Sequence, residues 1–166
     1  ERLLARLRGG RLRDTHAGEV IAALDAEDPE WRAWLGSVPL FRRIEAGGRE
    51  WTIVHAGMHP SGRRRDTSAQ LALNVRRWPV DKPSNPFWWK VYRGKRGVIF
   101  GHDARRGLVR VERPGGRHLI GLDTGCVYGG RLSGYLVEED TVVQVEAARV
   151  YRSVESPTSS SSGGNR

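Results

Sequence analysis

A single cysteine, Cys126, is the only thiol in the 166 residues. No intrachain disulfide can form, and no cysteine cage for zinc can be built. Any metal must be held by His, Asp, Glu or Asn. Long apolar runs are also lacking: no stretch approaches the roughly 20 residues of a membrane-spanning helix, so a membrane is not expected as a partner. Residues Glu1 to Arg8 alternate charge with leucine, unlike the unbroken apolar core of a signal peptide. The expected location is therefore the cytoplasm. Acidic residues are the third shortage, with 19 Asp and Glu against 28 Lys and Arg, a net charge of +9. Such an excess favours polyanionic partners: nucleic acids, nucleotides, polyphosphate or phosphoproteins. It is carried mostly by arginine, and genomic base composition is a competing explanation.

What is present suits one domain with a sizeable core, since 38% of the residues are hydrophobic. Leu3, Leu4 and Leu7 lie at helical spacing, closed by Gly9-Gly10. Ala17 to Ala26 reads as a second helix, with Val20, Ile21 and Leu24 on one face. Asp28-Pro29 has the form of an N-cap and first turn, opening a short helix with Trp31, Trp34 and Leu35 on its apolar side. Leu40–Glu45 and Glu50–Val54 are strand-like and joined through Ala46-Gly47-Gly48, which predicts a hairpin. Thr67-Ser68-Ala69-Gln70 resembles a capping box for a helix reaching about Arg77. Asn85-Pro86 opens a shorter one over Phe87 to Tyr92. From Gly97 onward short strands recur, over 98–100, 108–112, 118–122, 134–138 and 141–145, and predict an antiparallel meander. The expected domain is 1–152. The Ser/Gly-rich segment 153–166 has no apolar pattern and reads as a disordered tail.

Two places share one architecture, an apolar strand followed by a histidine among small or turning residues. They are Ile53-Val54-His55-Ala56-Gly57 and Ile99-Phe100-Gly101-His102-Asp103. In each, the strand delivers an imidazole to its C-terminal edge, where α/β sheets place ligands. Neutral imidazole suits zinc, manganese or iron. The alternative for each is a surface or hydrogen-bonded histidine. His16, His59 and His118 are read as structural or solvent-exposed. A third feature is the glycine-rich excursion from Gly121 to Leu132, either a plain hairpin loop or one that brings backbone N–H groups or Tyr128 toward an anion. Cys126 lies in it, with no His nearby in sequence to activate it as a nucleophile.

His55-Ala56-Gly57, then Gly101-His102, then Leu122-Asp123-Thr124-Gly125-Cys126-Val127-Tyr128-Gly129-Gly130 occur in that order. This resembles the calcineurin-like metallophosphoesterases, in the branch of phosphoprotein phosphatases and symmetrical diadenosine tetraphosphatases. Gly101-His102-Asp103-Ala104 followed by Gly107-Leu108 looks most like the ApaH-like phosphatases. The resemblance implies an α/β fold of the metallophosphoesterase type, a β-sandwich flanked by helices, represented by its C-terminal half. It implies two divalent ions (Mn, Fe or Zn) in the complete domain, about 3.5 Å apart, with a bridging hydroxide that attacks phosphorus. It places His55 and His102 on the second metal. The Gly-Asp-x-His-Gly, Gly-Asp-x-x-Asp-Arg and Gly-Asn-His-Glu motifs of the family are absent from the 166 residues. The catalytic acid histidine and the remaining ligands are therefore expected upstream of Glu1.

Substrate phosphate should meet arginine, whose fork matches it bidentately. Arg76 and Arg77, at the expected helix end, and Tyr128 are the candidate substrate contacts. Arg63 to Arg65 read as a solvated loop. Trp88, Trp89 and Tyr92 either stack a nucleobase or, the preferred reading, pack a helix on the core. The expected substrate is a dinucleoside polyphosphate or a phosphoprotein, with polyphosphate or a nucleic acid such as capped RNA behind. The alternative is a truncated, non-catalytic basic module that binds nucleotides or RNA. Half a sandwich would expose sheet edges and apolar faces, so the chain alone is expected to be unstable or to associate.

Overall fold

The computed structural model describes residues 15–80 and 82–153. The expected first helix and the Ser/Gly tail lie outside the described residues, apart from Ser153. Helix α1 spans Thr15–Glu27 and α2 spans Trp31–Ser37. Asp28 does not cap α2. Its carboxylate accepts from the Glu30 N–H at 2.9 Å and forms a turn, so the helix begins two residues later than Asp28-Pro29 predicts. Trp31 is buried, but Trp34 is 68% exposed and forms no part of an inward face.

Five strands form the main sheet, in the order β1-β2-β3-β5-β4. Strands β1 (Phe41–Ala46) and β2 (Arg49–Val54) make the expected hairpin. Its turn needs positive φ at two successive positions, and Gly47 and Gly48 supply 57° and 68°. Strand β3 (Gly97–Phe100) then runs parallel to β2, and β5 (Arg117–Gly121) runs parallel to β3. Strand β4 (Val109–Arg113) closes the edge antiparallel to β5. Strands β6 (Arg131–Leu136) and β7 (Thr141–Glu146) form a separate two-stranded sheet.

The antiparallel run expected after Gly97 thus becomes two hairpins, β4–β5 and β6–β7, plus one strand parallel to both its neighbours. The reason is visible in the side chains. In β5, His118, Leu119 and Ile120 are buried in succession without in–out alternation, and in β3 Ile99, between buried Val98 and Phe100, is itself partly covered. Strands covered on both faces are the parallel ones. Edge strand β4 does alternate, with Val109 and Val111 partly buried and Arg110 and Glu112 outward.

The core lies where the β2–β3 crossover folds back over the sheet. Trp88 is fully buried and Trp89 and Tyr92 nearly so, packed with Val54, Met58, Ala72, Val75, Val98 and Phe100. These aromatics are core, as preferred from the sequence. The indole of Trp88 also donates to the Ala56 carbonyl at 3.2 Å, which ties the residue after His55 to the core. Helix α3 spans Ala69–Asn74, capped by Ser68, whose hydroxyl accepts from the Leu71 N–H at 3.2 Å. The capping residue is Ser68 rather than Thr67, and the helix stops before Arg76 and Arg77. Beyond Val75 the chain turns extended and pairs with the Pro86–Trp88 segment, through Trp78 N–H to Pro86 O and Trp88 N–H to Arg76 O. Those backbone bonds replace the helical ones.

The β6–β7 hairpin is held to the main sheet by Tyr135, whose ring meets the fully buried Trp51 edge-on at 5.6 Å. Its other face is apolar and uncovered: Leu132 and Val145, a cross-strand pair, are about two-thirds exposed. Among the described residues, no helix is long and apolar enough to cross a membrane.

Candidate functional site

Parallel pairing decides where the chemistry sits. Strands β2, β3 and β5 end side by side, so the segments that leave them share one edge of the sheet. The Gly101 N–H donates to the His55 carbonyl at 2.8 Å, and the Leu122 N–H to the Phe100 carbonyl at 2.8 Å. These bonds extend the ladder into the loops and fix their backbones. His55 follows β2 by one residue and His102 follows β3 by two. His102 adopts φ 75°, one of only two non-glycine residues in the left-handed region among those described. That conformation is costly for a side-chain-bearing residue and is retained where surrounding contacts dictate it.

The two imidazoles converge. His55 Nε2 lies 3.1 Å from His102 Nδ1, and the rings meet at 63° with centroids 5.0 Å apart. Two nitrogens bound to one ion at about 2.1 Å, at about 90–109° to each other, stand roughly 3.0–3.4 Å apart. The residues present therefore fit a shared divalent ion, with one histidine offering Nε2 and the other Nδ1.

Beside them opens a cavity of about 960 Å³. Arg76, Arg77, Arg105, Arg106 and Arg152 line it, together with His102, Asp103 and Tyr128. The expected substrate contacts are thus brought to one place with one of the two histidines. Arg77 is held by a hydrogen bond to the Asn85 carbonyl and by the Phe87 ring, 4.1 Å from its guanidinium carbon. Phe87 is backed by Trp89, stacked at 4.4 Å. Tyr128 comes from a 3-10 turn over Cys126–Tyr128, bounded by Gly125 and Gly129, both left-handed at φ 74° and 85°. Only glycine takes these turns cheaply. The same loop is closed from behind by residues after β7: the N–H groups of Tyr151 and Arg152 donate to the Val127 carbonyl at 3.0 and 2.9 Å. That strap brings Arg152 to the cavity. Cys126 does not line it.

Sequence reasoning missed Asp103, Arg105, Arg106, Arg152 and Phe87. Arg105 and Arg106 had a signal, since they follow His102-Asp103-Ala104 directly. Arg152 had none, because only the fold brings a post-strand residue back to this loop.

A second cluster lies at the opposite end of β5. Glu112, His118 and Asp140 place ligand-type atoms within 4.8 Å of one another, the only such group of three among the described residues. His118 is buried, consistent with a structural histidine. Here a protein cation is already in place. Arg110 lies 3.0 Å from Asp140 Oδ2 and 4.0 Å from Glu112 Oε1. The Tyr135 hydroxyl donates to Asp140 Oδ1. That bond, with the Arg110 charge, holds the Asp140 carboxyl below its ordinary value. Burial, then the same carboxylate, push the Tyr135 phenol up to about 12. The cluster reads as an internal ion-pair network.

Comparison with known proteins gives the arrangement a context. No family model matches the chain. Over 126 residues it is 34% identical to bis(5'-nucleosyl)-tetraphosphatase PrpE, asymmetrical, of Bacillus velezensis, covering 69% of this chain and 46% of that protein. Over 49 residues it is 41% identical to a symmetrical bis(5'-nucleosyl)-tetraphosphatase of a Janthinobacterium strain, covering 30% and 16% of the two chains. A crystal structure provisionally named a diadenosine tetraphosphatase superposes with a TM-score of 0.67 at 27% identity, over 88% of this chain and 64% of that one. The chain is a relative of these tetraphosphatases, in the calcineurin-like metallophosphoesterase family. The mixed α/β fold is that of a metallophosphoesterase. The chain spans about half the length of the curated metallophosphoesterase relatives it matches. That family is one of hydrolases that use divalent metal ions.

Proposed function

We propose that the chain carries part of the active site of a phosphoanhydride hydrolase acting on dinucleoside polyphosphates. The observation that carries this reading is one cavity shared by His102, its partner imidazole beside it, and five arginines. His55 and His102 hold one divalent ion, of manganese, iron or zinc, in a two-metal centre whose other ligands and acid histidine come from elsewhere in the protein. Bound there, divalent ions supply Lewis acidity toward a phosphoryl oxygen and a water acidified toward neutrality. The chain's own residues do the rest. Arg76 and Arg77 bind phosphate oxygens and neutralise their charge. Phe87 and the Asn85 carbonyl keep Arg77 in one orientation, which lowers the entropy lost on binding. Tyr128 places its phenol against the substrate from the glycine loop. A bridge of several phosphates matches a lining with five arginines and one carboxylate better than a single phosphoester does, and the names of the relatives point the same way. A phosphoprotein, with its single phosphoester, is the substrate this charge argument ranks lower.

The test is hydrolysis by the protein that carries this chain, in manganese or zinc, of diadenosine tetraphosphate against a phosphopeptide. Preferential release of nucleotide from diadenosine tetraphosphate is expected. Preference for the phosphopeptide would overturn the substrate assignment. Tight nucleotide binding with no turnover in any divalent metal would favour the non-catalytic basic module instead, since that module would use the same arginines.

A further inference from the structure

Asp103 is the only carboxylate among the residues lining the cavity, and it is not solvated: its side chain is 13% exposed. Its two oxygens are divided. Oδ1 lies 3.8 Å from Arg76 Nε and Oδ2 lies 3.8 Å from Arg106 Nε. The two arginines come from different elements. Arg76 follows α3, and Arg106 ends the 3-10 turn Ala104–Arg106 that follows His102. Their like charges would repel if brought together alone, and a carboxylate between them offsets that repulsion. Arg106 is constrained from a second side, since its guanidinium carbon lies 4.9 Å from the Phe87 ring centroid. The Asp103 backbone is fixed as well, by its N–H to the Gly101 carbonyl at 3.0 Å and its carbonyl to the Arg106 N–H at 2.9 Å.

We propose that Arg76 and Arg106 form a two-guanidinium clamp on a substrate phosphate group, and that Asp103 is a positioning residue that sets their separation. This rests on the reading that the cavity receives a polyphosphate. It adds Arg106 as a specificity-determining residue. Two guanidinium charges held at a fixed separation match the several charges of a phosphate chain better than those of a lone phosphate. Asp103 acts through the arginines and touches no substrate.

The experiment uses the protein that carries this chain, with a chelator present, titrated calorimetrically with sodium tripolyphosphate and with orthophosphate. Wild-type protein should bind tripolyphosphate more tightly than orthophosphate. Arg106→Met should weaken tripolyphosphate binding about tenfold and shrink that selectivity, the loss expected for a charged hydrogen-bonding partner. Asp103→Asn decides the positioning role by the sign of its effect. It makes the cavity more positive, so a residue with no positioning role would leave tripolyphosphate binding unchanged or tighter. The proposal requires weaker binding in spite of the added positive charge. Unchanged or tighter binding in Asp103→Asn overturns the positioning role. Unchanged binding in Arg106→Met, an arginine 42% exposed and removable without disturbing the core, overturns the clamp. No binding of tripolyphosphate to wild-type protein would sink the polyphosphate reading as well, which separates the two failures.

Discussion

The two ends of β5 carry similar residues arranged to opposite effect. At its start, His118 sits with Glu112 and Asp140, three ligand-type side chains within 4.8 Å. At its finish, two histidines converge beside a cavity, with no group of three ligand-type side chains there among the described residues. By residue count the first is the better metal site. By charge it is not, because Arg110 already lies against both carboxylates and the Tyr135 hydroxyl accounts for another oxygen. At the other end the arginines of the lining outnumber its carboxylates five to one, a balance that suits an incoming anion. Composition of a cluster says little; what already neutralises it says more.

The comparison can be broken most severely at the histidines. In the active protein, His55→Ala and His102→Ala should each lower turnover by more than about 100-fold, beyond the 10–100-fold typical of residues that merely support a ligand. His118→Ala should leave turnover nearly intact if the protein stays folded. Steady-state rates at saturating metal check both. The next largest effect concerns the support beneath the site. Trp88→Ala should cost about 3–5 kcal/mol, because it empties a fully buried position and unties Ala56 from the core. Chemical denaturation reads it, and a change under 1 kcal/mol would refute the claim that this indole anchors the His55 loop.

A smaller effect tests the ion-pair network. The folded Tyr135 phenol is raised from 10.0 to about 12. Its contribution to stability is therefore complete below pH 10 and is lost as pH rises toward 12. Asp140 is shifted the other way, so its contribution is present above the ordinary carboxylate value and is lost as pH falls below it. Melting temperature against pH should fall more steeply between pH 10 and 12 for wild type than for Tyr135→Phe; parallel curves would contradict the network. The smallest effect is Arg110→Met, about 1 kcal/mol or less, since the guanidinium is partly exposed and its ion pairs are screened. At the same time that variant removes the resident cation, and so gives the Glu112–His118–Asp140 group its best chance of binding a metal.

Much of this was legible in the sequence. The hairpin at Gly47-Gly48, the strand ends that present His55 and His102, and the glycine loop around Tyr128 all follow from local pattern, because each depends on a few adjacent residues. Three things did not. Helix α3 stops at Asn74 because residues 76–78 find backbone partners at 86–88, a pairing no helical signal reveals. Strand β3 reads like any short apolar strand, and only burial on both faces makes it parallel. The cavity is assembled from Arg76 and Arg77, Arg105 and Arg106, and Arg152, three segments that no periodicity links. The histidine pair was visible from its strand-end pattern, and the family resemblance suggests its role. Its geometry was not.

The most direct test is to titrate zinc, a diamagnetic probe, into the isotopically labelled protein that carries this chain and follow the histidine ring resonances by NMR. The account predicts that His55 and His102 shift together at the lowest zinc concentrations, through Nε2 and Nδ1 respectively, and that His55→Ala abolishes the shift at His102. A first response at His118, with His55 and His102 unmoved, would contradict it.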